Sequence, residues 1–364
     1  MRLEKICNRI IEFSFYAIFL LIPLAIAGDT SELFELNKMW LAFGLGIIIA
    51  VSWTIKSIVK KEFRIQRTPL DIPILLFLLS QILSTIFSWD RHISVWGYYS
   101  RFNGGLLSII LYIFFYYAFV SNFLNRGVAS EGDPHRVPAA NARTSDGGKA
   151  RQDPKQMVKR FLNLSIITGV IVSLWGLPSH FGYDPTCLVF RGNFDVSCWA
   201  ADFQPRVRIF STLGQPDWLA AYLAILLPVS IALLLENFKF DPKRIFKINR
   251  LGIFYSISSI LFYTDLLYTR SRSAMLATGI ALIFLLFAYF YIKKVKFKVL
   301  NFAVPIAIFL LITFMIGLPF TIFSKFSYQE VKNRLSPPPA KIQTKAEKPA
   351  PAHTGELGVT DSGK

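Results

Sequence analysis

Histidine and cysteine are scarce: four histidines, at 92, 135, 180 and 353, and three cysteines among 364 residues. None of them stand at metal-ligand spacings, so a metal centre is not expected. The sequence also has no Gly-rich phosphate loop, H-E-x-x-H, C-x-x-C or G-x-S-x-G, which removes the local signatures of nucleotide hydrolysis, zinc proteolysis, dithiol redox chemistry and α/β-hydrolases. Acidic residues are the minority, 23 against 40 Lys and Arg, and the net charge is +17. The basic residues sit between hydrophobic runs and form no basic domain, so no nucleic-acid partner is expected and they read as topology signals.

What is abundant is apolar length. Hydrophobic residues make up 53% of the chain and Phe alone contributes 34, more than a soluble core needs. A bilayer core about 30 Å thick takes about 20 apolar residues per helix. Runs near that length fall at 11–27, 39–59, 71–88, 104–122, 161–178, 217–235, 251–269, 274–292 and 299–323. The expected fold is therefore an all-α, polytopic transmembrane helix bundle of about nine spans. Residues 1–126 would carry spans one to four and 157–323 spans five to nine. Between them, 127–156 is polar, rich in Pro, Gly and Ala and without periodicity, the composition of a flexible cytoplasmic linker. The last stretch, 324–364, has the same character and would begin a disordered loop on the outer side.

Basic residues set the orientation. With the N-terminus inside, 25 of them fall in cytoplasmic segments and 8 in outer loops before the tail. The expected topology is N-in and C-out. Trp40, Trp89, Trp96, Trp175, Trp199 and Trp218 would then lie at or beyond the outer interface, with only Trp53 toward the inner one. In that topology Cys187 and Cys198 share one outer loop, either as a disulfide or as two unlinked thiols.

The residues with chemistry to explain are arginines on the side that the topology rule disfavours. Arg270 and Arg272 occupy a short outer hairpin, and Arg208 precedes the sixth span. Gly214, Gln215 and Pro216 read as a helix start. That start aims unpaired N–H groups and the positive end of a helix dipole at the outer interface. Asp217, in the first turn, would satisfy the dipole itself and compete with an anion. Asp265, near the outer end of the seventh span, is an ionisable group in lipid whose expected partner is Arg270 or Arg272. For each arginine, snorkelling to headgroup phosphates is the bland alternative. Trp96, Tyr98, Tyr99, Trp199 and Trp218 would present aromatic faces at the outer interface, where anchoring alone explains them.

Three segments carry a resemblance. "RIFSTLGQPDWLAAYLAILLP" at 208–228 resembles the arginine, G-x-P-x, A-x-Y-L segment of the bacterial O-antigen ligase and polymerase family. "YTRSRSAMLA" is similar to that family's T-x-S-R-x-x-x-L hairpin, and "SVWGYYSRFNGGLL" at 94–107 to its W-G-x-Y-x-R-x-x-G stretch. They occur in the family's order, over roughly 94–292.

The resemblance implies a C-type glycosyltransferase of the bacterial inner membrane. Such an enzyme takes a glycan from an undecaprenyl diphosphate carrier at the periplasmic face and passes it to a lipid core sugar, a protein or another glycan, with neither metal nor cofactor. It also implies that outer-loop arginines hold the diphosphate, a role that maps onto Arg208 and Arg272, with Arg101 and Arg270 as secondary candidates. Gly214, Gln215, Asp217 and Asp265 would support them.

Two departures are visible. Asp217 stands where the family usually has asparagine. The chain ends in "GVTDSGK", similar to the beginning of the family's large periplasmic loop, so the family's acceptor-side histidine and last spans are expected to be missing through truncation. His353 stands in no version of that motif. A lipid-linked glycan transporter or flippase, and an inactive truncated membrane protein, remain the other readings.

Overall fold

In a computed structural model the described residues are 2–28, 30, 32–124, 154–200, 203–237, 239–241, 244–247, 250–293 and 299–317. The expected linker lies outside them through residue 153, as does the expected tail from 324 onward, with His135 and His353.

Eleven α-helices are described: α1 (Arg2–Leu24), α2 (Glu35–Lys60), α3 (Asp71–Ile86), α4 (Arg91–Trp96), α5 (Leu106–Phe119), α6 (Pro154–His180), α7 (Pro185–Arg191), α8 (Pro216–Asn237), α9 (Arg250–Thr269), α10 (Arg272–Lys293) and α11 (Val299–Ile316). Among the described residues each of the nine apolar runs coincides with one of them, the ninth as far as Ile316. Seven helical segments (α1, α2, α5 with the π-turn Val120–Leu124, α6, α8, α9 and α10) are long and apolar enough to cross a membrane, whereas Asp71–Ile86 and Ala307–Ile316 are shorter apolar helices. The chain is a helical, multi-pass membrane protein. One departure from an all-α chain is an antiparallel ribbon, β1 (Lys239–Asp241) with β2 (Arg244–Lys247). With three apolar side chains and no alternation in "KFDPKRIFK", a hydropathy reading has no strand signal to find there.

Two packed layers hold the bundle. Phe15, Ile49, Trp53, Ala118, Phe123 and Phe161 bring α1, α2, α5 with its π-turn, and α6 together. Ile166, Leu223, Leu227, Tyr255, Phe262 and Leu266 do the same for α6, α8 and α9. Gly169 of α6 lets the second layer close, because a Cβ there would strike Leu226 of α8 and lie 2.9 Å from the Phe262 ring of α9. Small residues at such crossings let helix backbones approach closely where lipid supplies no hydrophobic drive between helices. α10 turns Ile283, Phe284 and Phe287 outward, each about 70% exposed, a face that suits acyl chains.

The polar ties sort by end. At one end Lys60 pairs with Glu4 at 2.7 Å and Lys159 with Glu236 at 3.0 Å, while Lys56 donates to Asn122 Oδ1 at 2.7 Å. The opposite end gathers the loops that follow α1, α4, α6 and α9, and it carries every arginine singled out above.

Candidate functional site

The centre of that end is the start of α8. Residues Ser211–Leu213 form a 3-10 turn, Gly214 follows with φ +81°, and Pro216 opens the helix. Glycine is required at 214 twice over: a side chain there would be strained at positive φ, and its Cβ would lie 2.5 Å from the Phe34 ring. Ser211, with φ +53°, is a left-handed non-glycine residue, and its hydroxyl donates to the Val172 carbonyl at 2.5 Å. Such a conformation costs about 1–2 kcal/mol and persists only where neighbours fix it.

Arg208 reaches this start from the loop before it. Its Nη2 donates to Asp217 Oδ1 at 2.9 Å, and its Nε donates to the Thr269 carbonyl at 2.8 Å. The Ile209 amide adds a bond to the Tyr268 carbonyl at 3.3 Å. The Arg208 loop is thus tied directly to the end of α9, one residue before the Arg270 hairpin. In that hairpin Arg270 is left-handed (φ +52°), and the buried Ser271 donates its amide to Thr269 Oγ1 at 3.3 Å. The Arg270 and Arg272 side chains are exposed and make no hydrogen bond or ion pair among the described residues.

Arg101 comes to the other flank of the same helix start. Its guanidinium lies 5.1 Å from the Trp218 ring centre and 5.8 Å from that of Tyr98, and its Nε is 3.4 Å from Glu35 Oε2. Adjacent residues of α8 therefore receive two of the candidate arginines, Asp217 one and Trp218 the other. The glycines of the 94–107 stretch have a physical reason: Gly97 is at φ +88°, and a Cβ on Gly105 would strike the Gly97 amide.

Beside α8 a cavity of about 250 Å³ is lined by Phe203, Gln204, Arg208, Gln215, Pro216 and Asp217, among others. A guanidinium and the first turn of a helix face one hollow, the donor set that suits a phosphate oxygen.

Asp265 departs from expectation. It is fully buried, and neither carboxylate oxygen has a hydrogen-bond partner, so the pair with Arg270 or Arg272 is not formed. It lies on the inner face of α9 with Phe262 and Leu266, whereas both arginines point outward from the hairpin. Its polar neighbour is the equally buried Ser173 of α6, whose Oγ is also unpaired. Cys187 and Cys198 are joined as a disulfide, with a Cα separation of 5.6 Å. Trp199 is committed to protein, donating to the buried Asp184 and stacking on Phe34 with ring centres 6.0 Å apart. Trp96, Tyr98 and Tyr99 remain exposed. In the loop after α7, hydrogen bonds from the Ser197 hydroxyl and amide hold the Asp195 carboxyl below its usual range.

Two residues of this end carried no motif signal. His180 stacks on Tyr268 at 4.0 Å with its Nδ1 buried and unpaired. Lys38, one basic residue in a topology count, is buried. Compared with protein-family models, curated proteins and solved structures, the chain matches none of them.

Proposed function

We propose that this chain binds an undecaprenyl-diphosphate-linked glycan at the outer face of the bacterial inner membrane and belongs to an O-antigen ligase-type glycosyltransferase. The reading includes nine spans with the N-terminus inside and the C-terminus outside. One observation carries it: the three segments that bear the resemblance, far apart in sequence, converge on the start of α8, where Arg208 is bonded to the base of the Arg270 and Arg272 hairpin.

In the reaction an acceptor hydroxyl or amide attacks the anomeric carbon and loses its proton. The bond from that carbon to the diphosphate oxygen breaks, and undecaprenyl diphosphate leaves with the electron pair. Negative charge therefore grows on the phosphate during bond breaking. Guanidinium groups held in advance stabilise that charge without reorganising, and their planar fork matches two phosphate oxygens at once. Arg208, Arg270 and Arg272 supply the charge, and the first-turn N–H groups of α8 add to it.

The test is direct binding. The purified chain in nanodiscs is titrated with undecaprenyl diphosphate and, separately, with undecaprenol. Preference for the diphosphate that is lost in Arg208→Ala supports the proposal; equal binding of both lipids overturns it.

A further inference from the structure

The Lys38 ammonium has three protons and three acceptors, all of them main-chain carbonyls. Nζ donates to Ala25 at 2.7 Å, to Phe34 at 3.3 Å and to Thr212 at 2.6 Å. The residue is 9% exposed, and no carboxylate lies within ion-pair distance of its Nζ among the described residues. Burying an ammonium is costly unless each of its donors is satisfied. Here the three bonds join the end of α1, the start of α2 and the turn before α8, the last from 174 residues away. The Phe34 ring adds its face at 5.8 Å.

The third acceptor matters most. Thr212 lies in the 3-10 turn between the left-handed Ser211 and Gly214, five residues before the Asp217 that holds Arg208. The same threonine donates its hydroxyl to the Pro23 carbonyl at 2.8 Å. The turn that launches α8 is thus tied to the end of α1 by a neutral bond and by the lysine.

We propose that Lys38 is a positioning residue for the arginine site, fixing the start of α8 and through it Asp217 and Arg208 by a charge-assisted clasp on three carbonyls. Its effect on lipid rests on the carrier-binding reading. Its effect on the loop does not. Within 209–219 only Ile209 and Leu219 are buried members of the packed layers, so loss of the clasp loosens the turn before α8 and leaves the core contacts of α9 in place. Lysine is specific to this role, because a planar guanidinium cannot converge on three carbonyls around one nitrogen.

The test uses the full chain in nanodiscs with Lys38→Met, Lys38→Arg and the milder Thr212→Val. Amide hydrogen exchange is followed by mass spectrometry alongside undecaprenyl diphosphate titration. All three variants are expected to exchange at least tenfold faster at 209–219, with α9 unchanged. The two lysine variants are expected to bind the diphosphate lipid about tenfold more weakly, and Thr212→Val severalfold more weakly. Unchanged exchange at 209–219 overturns the clasp even if binding falls. Faster exchange throughout α9 makes Lys38 a general folding residue and overturns it too. Faster local exchange with full binding, where Arg208→Ala does lose binding, shows a clasp that does not serve the site. Wild-type protein that ignores the diphosphate sinks the carrier reading, and the positioning role with it.

Discussion

Arg208 and Asp217, nine residues apart, meet at 2.9 Å with both side chains partly open to solvent. The same carboxylate occupies the first turn of α8, where it also answers the helix dipole. An anion approaching this end must compete with it. Half-exposed ion pairs contribute only about 0–1 kcal/mol, so the competition is mild. Asp217→Asn is expected to leave the thermal midpoint within a degree or two and to tighten undecaprenyl diphosphate binding severalfold. The Asn oxygen still accepts from Arg208, so lipid titration of the variant isolates the charge, and weaker binding would show that Arg208 needs the carboxylate's charge and not only its acceptor.

Arg272 is exposed at the first residue of α10 and unpaired among the described residues. Its removal should cost ligand and not fold. A lost charge-assisted contact is worth about 1.5–3 kcal/mol, or roughly ten- to a hundredfold in affinity. Arg272→Lys is expected to fail nearly as badly as Arg272→Ala, since a point charge lacks the bidentate grip. A snorkelling arginine predicts a silent lysine variant. Carrier binding at matched membrane abundance distinguishes the two.

How far the sequence could be read follows from the range of each interaction. Apolar runs marked every long helix because a bilayer imposes length and makes the backbone satisfy itself within each span. The three arginine segments could be placed at one end because loops separated by an even number of crossings share a side. Gly214 was legible as a turn, but its contact with the Phe34 ring was not, since nothing local links residues 34 and 214. Lys38 illustrates the same limit: its most consequential acceptor is a carbonyl on Thr212, and carbonyls carry no sequence signal. For Asp265, nearness in sequence to Arg270 suggested a pair. The helix face decided otherwise, turning 265 inward with Phe262 and Leu266.

Cys187 and Cys198 close a loop with a sequence separation of 11 at a Cα distance that native disulfides adopt. The remaining cysteine, Cys7, is buried. Protein unfolded without reductant should take one maleimide mass tag, and after reduction three. In the chain-entropy account the bridge contributes roughly 3 kcal/mol, so Cys187→Ser with Cys198→Ser should lower the thermal midpoint by several degrees. Three tags before reduction would refute the bridge.

Orientation is open to a fusion experiment. Alkaline phosphatase joined after Lys38, Trp199 or Ser336 should be active, and joined near Gly147 or Lys247 inactive, because basic residues crowd the segments expected inside. The inverse pattern would put the arginine end in the cytoplasm, away from any periplasmic acceptor.

Asp265 provides the sharpest contrast with the sequence expectation. Had it paired with Arg270 or Arg272, removing either partner would strand a buried charge at a cost of about 3–5 kcal/mol. The structure instead buries Asp265 completely, beside Ser173 and without a hydrogen bond to either oxygen. A polar group in that position is already a burden on the fold, and an apolar side chain of similar size relieves it. Asp265→Leu is therefore expected to raise the thermal midpoint by a few degrees, while Arg270→Ala and Arg272→Ala leave it unchanged. Thermal unfolding of the three variants in the same nanodiscs is the measurement. A fall in Asp265→Leu matched by an equal fall in either arginine variant would restore the ion pair, because only a shared partner makes both removals costly.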